Sequence, residues 1–432
     1  MALEPPSILA EDSARAGGGA LSRIEHWWCD LQALLGPSRN PVVQFFAPRC
    51  DIDTLHAAIL QVYRRHSALA SNFVGRSDAR RRTQGAADLA LVHDSLGAAS
   101  PAAARQYVSE IVEQARLQPY ELAHGPLFRA RTVACTDGAT SVILAAHHAV
   151  SDRWSFAVLM REICTLAVAP GDPARWSAPP SRVSYSDFVR RDQAASSDYS
   201  SAEIDALIEA GGRSPSGAPA TGSADRQRGS AEGWVEITLP APALTRLRHF
   251  ARSRAASMQA VMLALYGNAL RSTLGGGDLL IGLYHHGRPS MAYANTVGCF
   301  AVNAPIVYGA DALGSPGDTH DLMTRLGGVY RRAASIDFAT ARRANLNRVV
   351  LDVWEETLGA PARSTRHQPM MVTPRAGAGS GPVFHELCLQ CVLSSDHAVL
   401  RLSYGRDWVR PELARRITDQ IRRSIDSASQ HD

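Results

Sequence analysis

Apolar residues follow two patterns along the chain, and segments of the two kinds alternate. Apolar positions three or four residues apart predict helices, whereas short and mostly apolar runs predict strands. The predicted helices cover residues 21–35, 52–66, 105–117, 154–168, 185–191, 243–251, 258–272 and 411–424. The predicted strands cover residues 42–46, 126–133, 141–146, 234–239, 279–284, 301–308, 386–393 and 399–404. Alternating strands and helices are typical of an α/β fold.

The length of the chain indicates two units. With 432 residues the chain is long enough for two hydrophobic cores of ordinary size. A Pro/Ser-rich passage at residues 170–184 lies between two stretches of alternating strands and helices. We therefore predict one α/β domain at residues 1–178 and a second at residues 179–432.

Two adjacent histidines, His147 and His148, follow the strand predicted at residues 141–146. Neighbouring residues of a strand point to opposite faces of a sheet, so the two imidazoles cannot share one role. We expect one to face the interior and the other to face the space at the end of the strand. Ser151 or Asp152 is placed to cap the helix that follows.

The composition excludes several classes of function. With 45% hydrophobic and 20% charged residues the chain is globular, and its net charge of +4 is too small to indicate nucleic acid as a partner. No apolar stretch approaches the roughly 20 residues of a membrane span. All 45 basic residues are arginine, which excludes a lysine Schiff base, a pyridoxal anchor and a phosphate-loop lysine. Seven scattered cysteines and an N-terminus without an apolar signal core favour a reducing compartment, and we predict a cytoplasmic protein.

Two motifs have residue types that bind metals, but their spacing and predicted structure argue against a metal site. A His-x-x-x-Asp spacing such as that from His148 to Asp152 ligates a metal from one face of a helix, but here the histidines end a strand and no further ligand cluster follows. Cys388 and Cys391 lie on a predicted strand, where residues three apart face opposite ways and their thiols diverge. We predict no metal site.

The run from His147 to Asp152, followed by x-Trp-Ser, resembles the His-His-x-x-x-Asp motif of the condensation domains of nonribosomal peptide synthetases. Those domains belong with the chloramphenicol-acetyltransferase-like acyltransferases. Further stretches that resemble the family in order lie at residues 21–28, 65–73, 125–130, 185–188, 281–288 and 297–303. The resemblance covers nearly the whole chain and leaves no room for an adenylation or carrier domain, so we expect a stand-alone condensation enzyme.

The resemblance implies two acetyltransferase-like lobes in a V-shaped pseudo-dimer, with a tunnel between them that is open at both ends. An acyl group on the phosphopantetheine arm of an acyl or peptidyl carrier protein enters from one side. A small-molecule or carrier-bound amine or hydroxyl enters from the other. The chain itself is expected to bind no cofactor, and neither nucleic acid nor a membrane is an expected partner.

The resemblance also implies roles for individual residues. His148 is the catalytic residue, and it either takes the nucleophile's proton or holds the nucleophile and the tetrahedral intermediate in place. The ordinary pKa of an imidazole suits proton transfer at neutral pH. His147 is its structural partner. Asp152 is expected to pair with Arg288 and so fix the loop that presents His148, because a buried charge needs a partner.

Four residues are expected beside the tunnel: Arg153, Trp154, Ser155 and Asn303. Arg153 departs from the family, which usually has glycine directly after the aspartate. Three interpretations of Arg153 stay open: a neutral variant that faces solvent, a side chain that narrows the tunnel, or a guanidinium that binds a carboxylate of the acceptor. Residues 338–347 also lack the family's usual His-Gln-x-x-Pro-Phe pattern, so the acceptor-side wall is not predicted.

Two classes of function follow. The first is an acyltransferase of nonribosomal peptide or polyketide-hybrid biosynthesis that forms an amide or an ester. The second is a catalytically silent relative that recruits partner proteins, and an epimerisation relative is a further alternative. The complete His-His-x-x-x-Asp motif favours catalysis, whereas the substitution at Arg153 keeps the silent alternative open.

Overall fold

A computed structural model of the chain divides into two compact units. The residues that it describes are 19–36, 40–48, 50–74, 80–83, 89–97, 100–135, 139–168, 183–195, 199–212, 230–309, 318–355, 370–371 and 385–428. The first unit comprises Met1–Ala195, Arg288–Ala301 and Gly359–Gly379, and the second comprises Ser196–Gly287, Val302–Leu358 and Ser380–Asp432. The chain therefore crosses between the units more than once. The boundary predicted between residues 178 and 179 lies outside the described residues.

The helices of the first unit are fixed by capping side chains and by apolar faces. They are α1 (Arg23–Leu35), α2 (Ile52–Arg65), α3 (Pro101–Leu117), α4 (Arg153–Val168) and α5 (Tyr185–Ala194). Helix α1 begins with a capping box, in which the Ser22 side chain accepts from the Glu25 amide and the Glu25 carboxylate accepts from the Ser22 amide. Helix α3 begins four residues before the predicted start because Ser100 caps it and Pro101 suits its first turn.

A mixed five-stranded sheet forms the centre of the first unit. Its strands are β1 (Val42–Phe46), β4 (Ala90–Ser95), β5 (Phe128–Ala134), β6 (Thr140–Ala146) and β11 (Met370–Met371), in the order β11-β1-β6-β5-β4. A separate hairpin pairs β2 (Ser71–Val74) with β3 (Arg80–Thr83). Strand β6 is antiparallel to both of its neighbours, β1 and β5.

Strand β6 is buried on both faces, as its apolar run predicts. Val142 and Leu144 belong to the main hydrophobic cluster of the unit, whereas Ile143 and Ala145 belong to a second cluster on the other side of the sheet. Because adjacent side chains of β6 are anchored in different clusters, its register is strongly fixed. The residues that follow β6 therefore leave the sheet at a defined point.

The second unit is built around a six-stranded mixed sheet in the order β7-β13-β12-β10-β8-β9. Its strands are β7 (Glu232–Pro240), β8 (Leu279–His285), β9 (Val302–Tyr308), β10 (Val349–Glu355), β12 (Leu387–Leu393) and β13 (His397–Gly405). Its helices are α6 (Ser201–Gly212), α7 (Ala241–Ser253), α8 (Met258–Leu274), α9 (Asp318–Arg332), α10 (Phe338–Arg343) and α11 (Pro411–Ala428). Cys388 and Cys391 are both buried as free thiols on β12. Among the described helices of both units, none combines the length and the apolar character needed to cross a membrane.

Candidate active site

The loop after β6 carries both histidines, as the sequence predicts. The His147 amide donates to the Leu127 carbonyl oxygen at 2.8 Å, and a short 3-10 turn covers His148–Val150. Asp152 then caps α4, because its Oδ1 accepts from the Ser155 amide at 2.7 Å. The strand, the turn and the cap hold the loop at both ends.

His147 is a buried and neutral structural residue. Its Nδ1 accepts from the Ala149 amide at 3.1 Å, so its Nε2 carries the proton and donates to Gln32 Oε1 at 2.8 Å. Gln32 in turn donates through Nε2 to the Tyr120 carbonyl oxygen at 3.0 Å. Burial, together with the neighbouring His148, lowers the pKa of His147 to about 3. The ring therefore fastens the loop to α1.

His148 is partly exposed, unlike His147, and it lies beside the ring of Trp28 on α1. The two rings stack with centroids 4.1 Å apart and planes 5° apart. From the sequence we expect a pKa that suits proton transfer at neutral pH, and burial moves the pKa of His148 below that range. Burial lowers the pKa of His148 to about 4, and the charge of Asp152 opposes that shift only in part. At neutral pH the ring is uncharged and is able to accept a proton.

Asp152 and Arg288 form the buried ion pair that the sequence predicts. Arg288 Nη1 donates to Asp152 Oδ2 at 2.9 Å, and Nη2 donates to Oδ1 at 3.2 Å. The two side chains are only 3% and 4% exposed. The carboxylate also accepts from the amides of Ser155 and Phe300, at 2.7 and 3.1 Å. A buried carboxylate with four donors is well compensated for the loss of water.

Ser155 joins this ion pair to the segment Arg288–Ala301. Its hydroxyl donates to the Gly298 carbonyl oxygen at 2.9 Å and accepts from Arg288 Nη2 at 3.1 Å. Arg288 Nη2 also donates to the Thr296 carbonyl oxygen at 3.1 Å. The guanidinium lies over the Phe300 ring, 4.3 Å from its centroid. The start of α4 is thereby clamped to this segment of the first unit.

The four residues expected beside a tunnel differ in burial and in their hydrogen-bond partners. Trp154 is partly buried and donates through Nε1 to the Ala294 carbonyl oxygen at 2.8 Å, and Ser155 is completely buried in the network around Asp152. Arg153 is the first residue of α4 and is partly buried, with its Nε shielded from solvent. Its backbone is helical, so nothing in its conformation requires glycine. Asn303 lies on β9 in the second unit, where its Nδ2 donates to Asn347 Oδ1 at 2.6 Å. A substrate contact for each of these residues stays a prediction.

Sequence reasoning missed the residues of α1 that meet the histidines. Trp28 contacts both rings and Gln32 bonds to His147, and because the two residues are four apart they share one face of the helix. This spacing was visible in the sequence. What the sequence lacked was any sign that this face packs against the turn His148–Val150, as it does in the structure.

The second unit has an adjacent histidine pair of its own, in which His285 ends β8 and His286 follows it. The rings of His285 and His286 are tilted by 35° with centroids 4.1 Å apart, and the ring of His285 stacks on that of Tyr330 with centroids 4.1 Å apart. In the described part of the chain, no cluster of three or more His, Cys, Asp or Glu side chains is arranged to hold a metal ion. The first pair adjoins the buried Asp152–Arg288 ion pair, whereas the second adjoins the ring of Tyr330.

The fold and this loop define a protein of the condensation domain class. The Condensation domain family model matches residues 38–312, well over half of the chain, and the chain belongs to that family. Condensation domains serve nonribosomal peptide synthesis and secondary-metabolite biosynthesis. The predicted α/β fold class is confirmed by the solved structures of such domains.

Among curated proteins, the chain is similar to the phosphinothricin tripeptide synthetase PhsB of Streptomyces viridochromogenes. The two are 28% identical over 327 residues, which cover 72% of this chain and 26% of PhsB. The chain thus spans about a quarter of the length of that relative.

Two solved structures share the fold over nearly their whole length. The SgcC5 protein of Streptomyces globisporus has a TM-score of 0.70 and 17% identity, with 95% of this chain and 99% of that chain covered. The epimerization domain from the third module of tyrocidine synthetase B has a TM-score of 0.71 and 16% identity, with 96% and 98% covered. Both likenesses establish the fold and leave the reaction to be argued from the site.

Proposed function

We propose that this protein is an acyltransferase that joins an acyl group, carried as a thioester on the phosphopantetheine of a carrier protein, to an amine or hydroxyl nucleophile. The product is an amide or an ester of natural-product biosynthesis. His148 is the catalytic residue, and His147, Asp152 and Arg288 hold the loop that presents it.

The observation that carries this proposal is the contrast between the two histidines. His147 is buried and uses both ring nitrogens in hydrogen bonds, whereas His148 is partly exposed and uncharged at neutral pH. An accessible imidazole that is uncharged at neutral pH has a ring nitrogen that can accept the nucleophile's proton. The buried Asp152–Arg288 pair and the His147–Gln32 bond support the loop from two sides.

The proposed reaction requires one proton to be moved and one leaving group to depart. The nucleophile's nitrogen or oxygen attacks the thioester carbonyl carbon, and its proton passes to the imidazole of His148. The tetrahedral intermediate then collapses as the C–S bond breaks, and the proton passes from His148 to the departing thiolate. The phosphopantetheine arm belongs to the carrier substrate, so this scheme uses no cofactor bound by the chain.

The test is product formation by the purified chain from an acyl-loaded carrier protein and a panel of amines and alcohols, followed by mass spectrometry. We expect a new amide or ester with wild type, and a rate lower by about 10²- to 10⁴-fold for His148→Ala. His124, whose side chain is 80% exposed, supplies the control, since His124→Ala should match wild type. If His148→Ala forms product as fast as wild type, the assignment of His148 is wrong.

Epimerisation is the second candidate, because the fold is as similar to an epimerization domain as it is to SgcC5. A carrier loaded with an aminoacyl group of one configuration, incubated in deuterated water, separates the two reactions. Deuterium at the α-carbon with inversion of configuration supports epimerisation, whereas transfer to an added nucleophile supports condensation. Binding of the carrier without either reaction supports a silent, partner-recruiting domain.

A further inference from the structure

Trp28 contacts both histidines of the loop, but in different ways. It presents its face to His148, with centroids 4.1 Å apart and planes 5° apart. It meets His147 edge to face, with centroids 6.5 Å apart and planes at 82°. The face of an indole carries negative charge density and its edge carries positive charge density. The parallel stack therefore sets His148 over the indole face, which attracts a cation.

Two contacts of α1 and one contact of the indole itself restrict the orientation of Trp28. The capping box at Ser22 and Glu25 fixes the start of α1, less than two turns before Trp28. The Trp28 side chain also donates a hydrogen bond to the thiol of Cys299, which is 1% exposed. One turn further along, Gln32 holds the neighbouring His147. An indole held in this way fixes the plane of any ring stacked on it.

The proposed reaction makes His148 a cation for part of each turnover. A cation within about 6 Å of an indole centroid is stabilised by the ring, and the effect grows as water is excluded. The 4.1 Å stack meets that distance condition. A parallel stack also keeps the imidazole in one plane, so that its nitrogens point in a constant direction.

We propose that Trp28 is a positioning residue for His148, which fixes the plane of the imidazole and stabilises the imidazolium that forms when His148 takes the proton. This inference rests on the proposed function. It assigns an electrostatic role to a residue that otherwise counts as part of the hydrophobic packing beneath the loop.

Other charged groups near the ring must stay constant in the test. His147 and Asp152 belong to the same loop as His148, and Asp152 is paired with Arg288. On α1, the titratable residues within one turn of Trp28 are Glu25, His26, Cys29 and Asp30, and Cys299 accepts from the indole nitrogen. The test variants leave all of these residues unchanged.

The central variant is Trp28→Leu, which keeps an apolar side chain beside the imidazole but offers no aromatic face. Leucine continues to exclude water, so the main change is the lost stabilisation of the imidazolium. We expect kcat to fall by about 2- to 30-fold with little change in KM, and the acid limb of kcat/KM to move lower by roughly 0.4 to 1.5 pH units. Trp28→Phe, which retains an aromatic face, should recover part of both effects.

Trp27→Leu is the matched control, because it removes the adjacent indole from the same helix. It should leave kcat and the acid limb as in wild type. Equal thermal unfolding of the variants would show that they fold alike. An unchanged acid limb and kcat in Trp28→Leu, or an acid limb at higher pH, would overturn the inference.

A substrate-free measurement separates this inference from the proposed function. A proton above the face of an indole resonates upfield, so the Hε1 signal of His148 at pH 7 should shift downfield in Trp28→Leu and stay in place in Trp27→Leu. His148→Ala assigns the signal. If the wild type transfers no acyl group but this shift occurs, the stack stands and the proposed function fails. If transfer occurs but the signal does not move, the inference about Trp28 fails.

Discussion

Arg288 donates hydrogen bonds from both of its Nη atoms to the Asp152 carboxylate, although 136 positions separate the two residues in the sequence. Both side chains are buried, and the Asp152 carboxylate also accepts hydrogen bonds from the backbone amides of Ser155 and Phe300. The pair thus ties the start of α4, and with it the loop of His148, to a segment from the second half of the chain.

Removal of Arg288 should destabilise the protein strongly. Arg288→Leu leaves the Asp152 carboxylate buried without its cation, which costs about 3–5 kcal/mol of unfolding free energy. Urea denaturation followed by circular dichroism measures this loss. Arg190, which pairs with Asp187 at the surface with 66% of its side chain exposed, is the matched control. Arg190→Ala should cost no more than about 1 kcal/mol, and similar losses for the two variants would contradict the assigned clamp.

Gln32 should contribute to the stability of the fold because it accepts the hydrogen bond from His147 Nε2–H. Gln32→Leu removes the acceptor of the His147 Nε2–H group and leaves a buried donor unpaired, at a cost of about 1–3 kcal/mol. Gln32→Glu keeps an acceptor and should recover part of that loss. Gln106, which bonds Glu110 on the exposed face of α3, gives the comparison, since Gln106→Leu should cost about 0.5 kcal/mol or less. Chemical denaturation checks all three, and a Gln32→Leu variant as stable as wild type would rule out the bond.

Stability should fall as the pH is lowered, in part because of His147. Its pKa is lowered from the unfolded value of 6.5 to about 3, so between those pH values the unfolded chain binds more protons. The stabilisation is fully present above pH 6.5 and is lost as the pH falls toward 3. From pH 7 to pH 5 this residue should account for about 2 kcal/mol of lost stability.

Unfolding free energies of wild type and His147→Gln at the two pH values measure that contribution. The variant lacks the titrating group, so its stability should depend less on pH over this range. Parallel pH dependences for the two proteins would show that His147 is not buried in its neutral form.

Gly298 should not tolerate a side chain. A Cβ at this position would lie 2.1 Å from Cδ2 of Tyr185, whose ring is buried and whose hydroxyl donates to the Cys299 carbonyl oxygen. Gly298→Ala should therefore cost about 1–3 kcal/mol and weaken the bonds between Ser155 and Gly298. Gly328, in helix α9, has only a distant arginine nitrogen near its would-be Cβ, so Gly328→Ala should stabilise by about 0.5–1 kcal/mol. Thermal unfolding should show a lower melting temperature for Gly298→Ala and a higher one for Gly328→Ala.

The elements nearest the site were predictable because their apolar patterns are local. The run at residues 141–146 identified β6, and the spacing after Asp152 identified α4. Strand β10 was missed, since Asp352 interrupts its apolar run, although β8 and β12 flank it on both sides. Helix α6 was missed because it buries too few residues to show a clear stripe.

The site divides in the same way. His147, His148 and Asp152 lie within six consecutive positions, so their relation follows from one strand and one turn. Trp28 and Gln32 come from a helix more than a hundred residues earlier, and their contact depends on how α1 packs. The lowered pKa of His148 also depends on that packing, because burial of the imidazole is the main cause of the shift. Such relations appear only once the chain is folded.

The segment Arg288–Ala301 completes the first compact unit from far along the chain. A gene fragment that encodes residues 1–195 alone would therefore yield a polypeptide that lacks Arg288, the partner of Asp152, and Gly298, the partner of Ser155. To reproduce this unit as a smaller polypeptide, residues 288–301 and 359–379 must both be joined to residues 1–195 through linkers. The boundary of the unit is thus a property of the folded molecule, and no single cut in the polypeptide reproduces it.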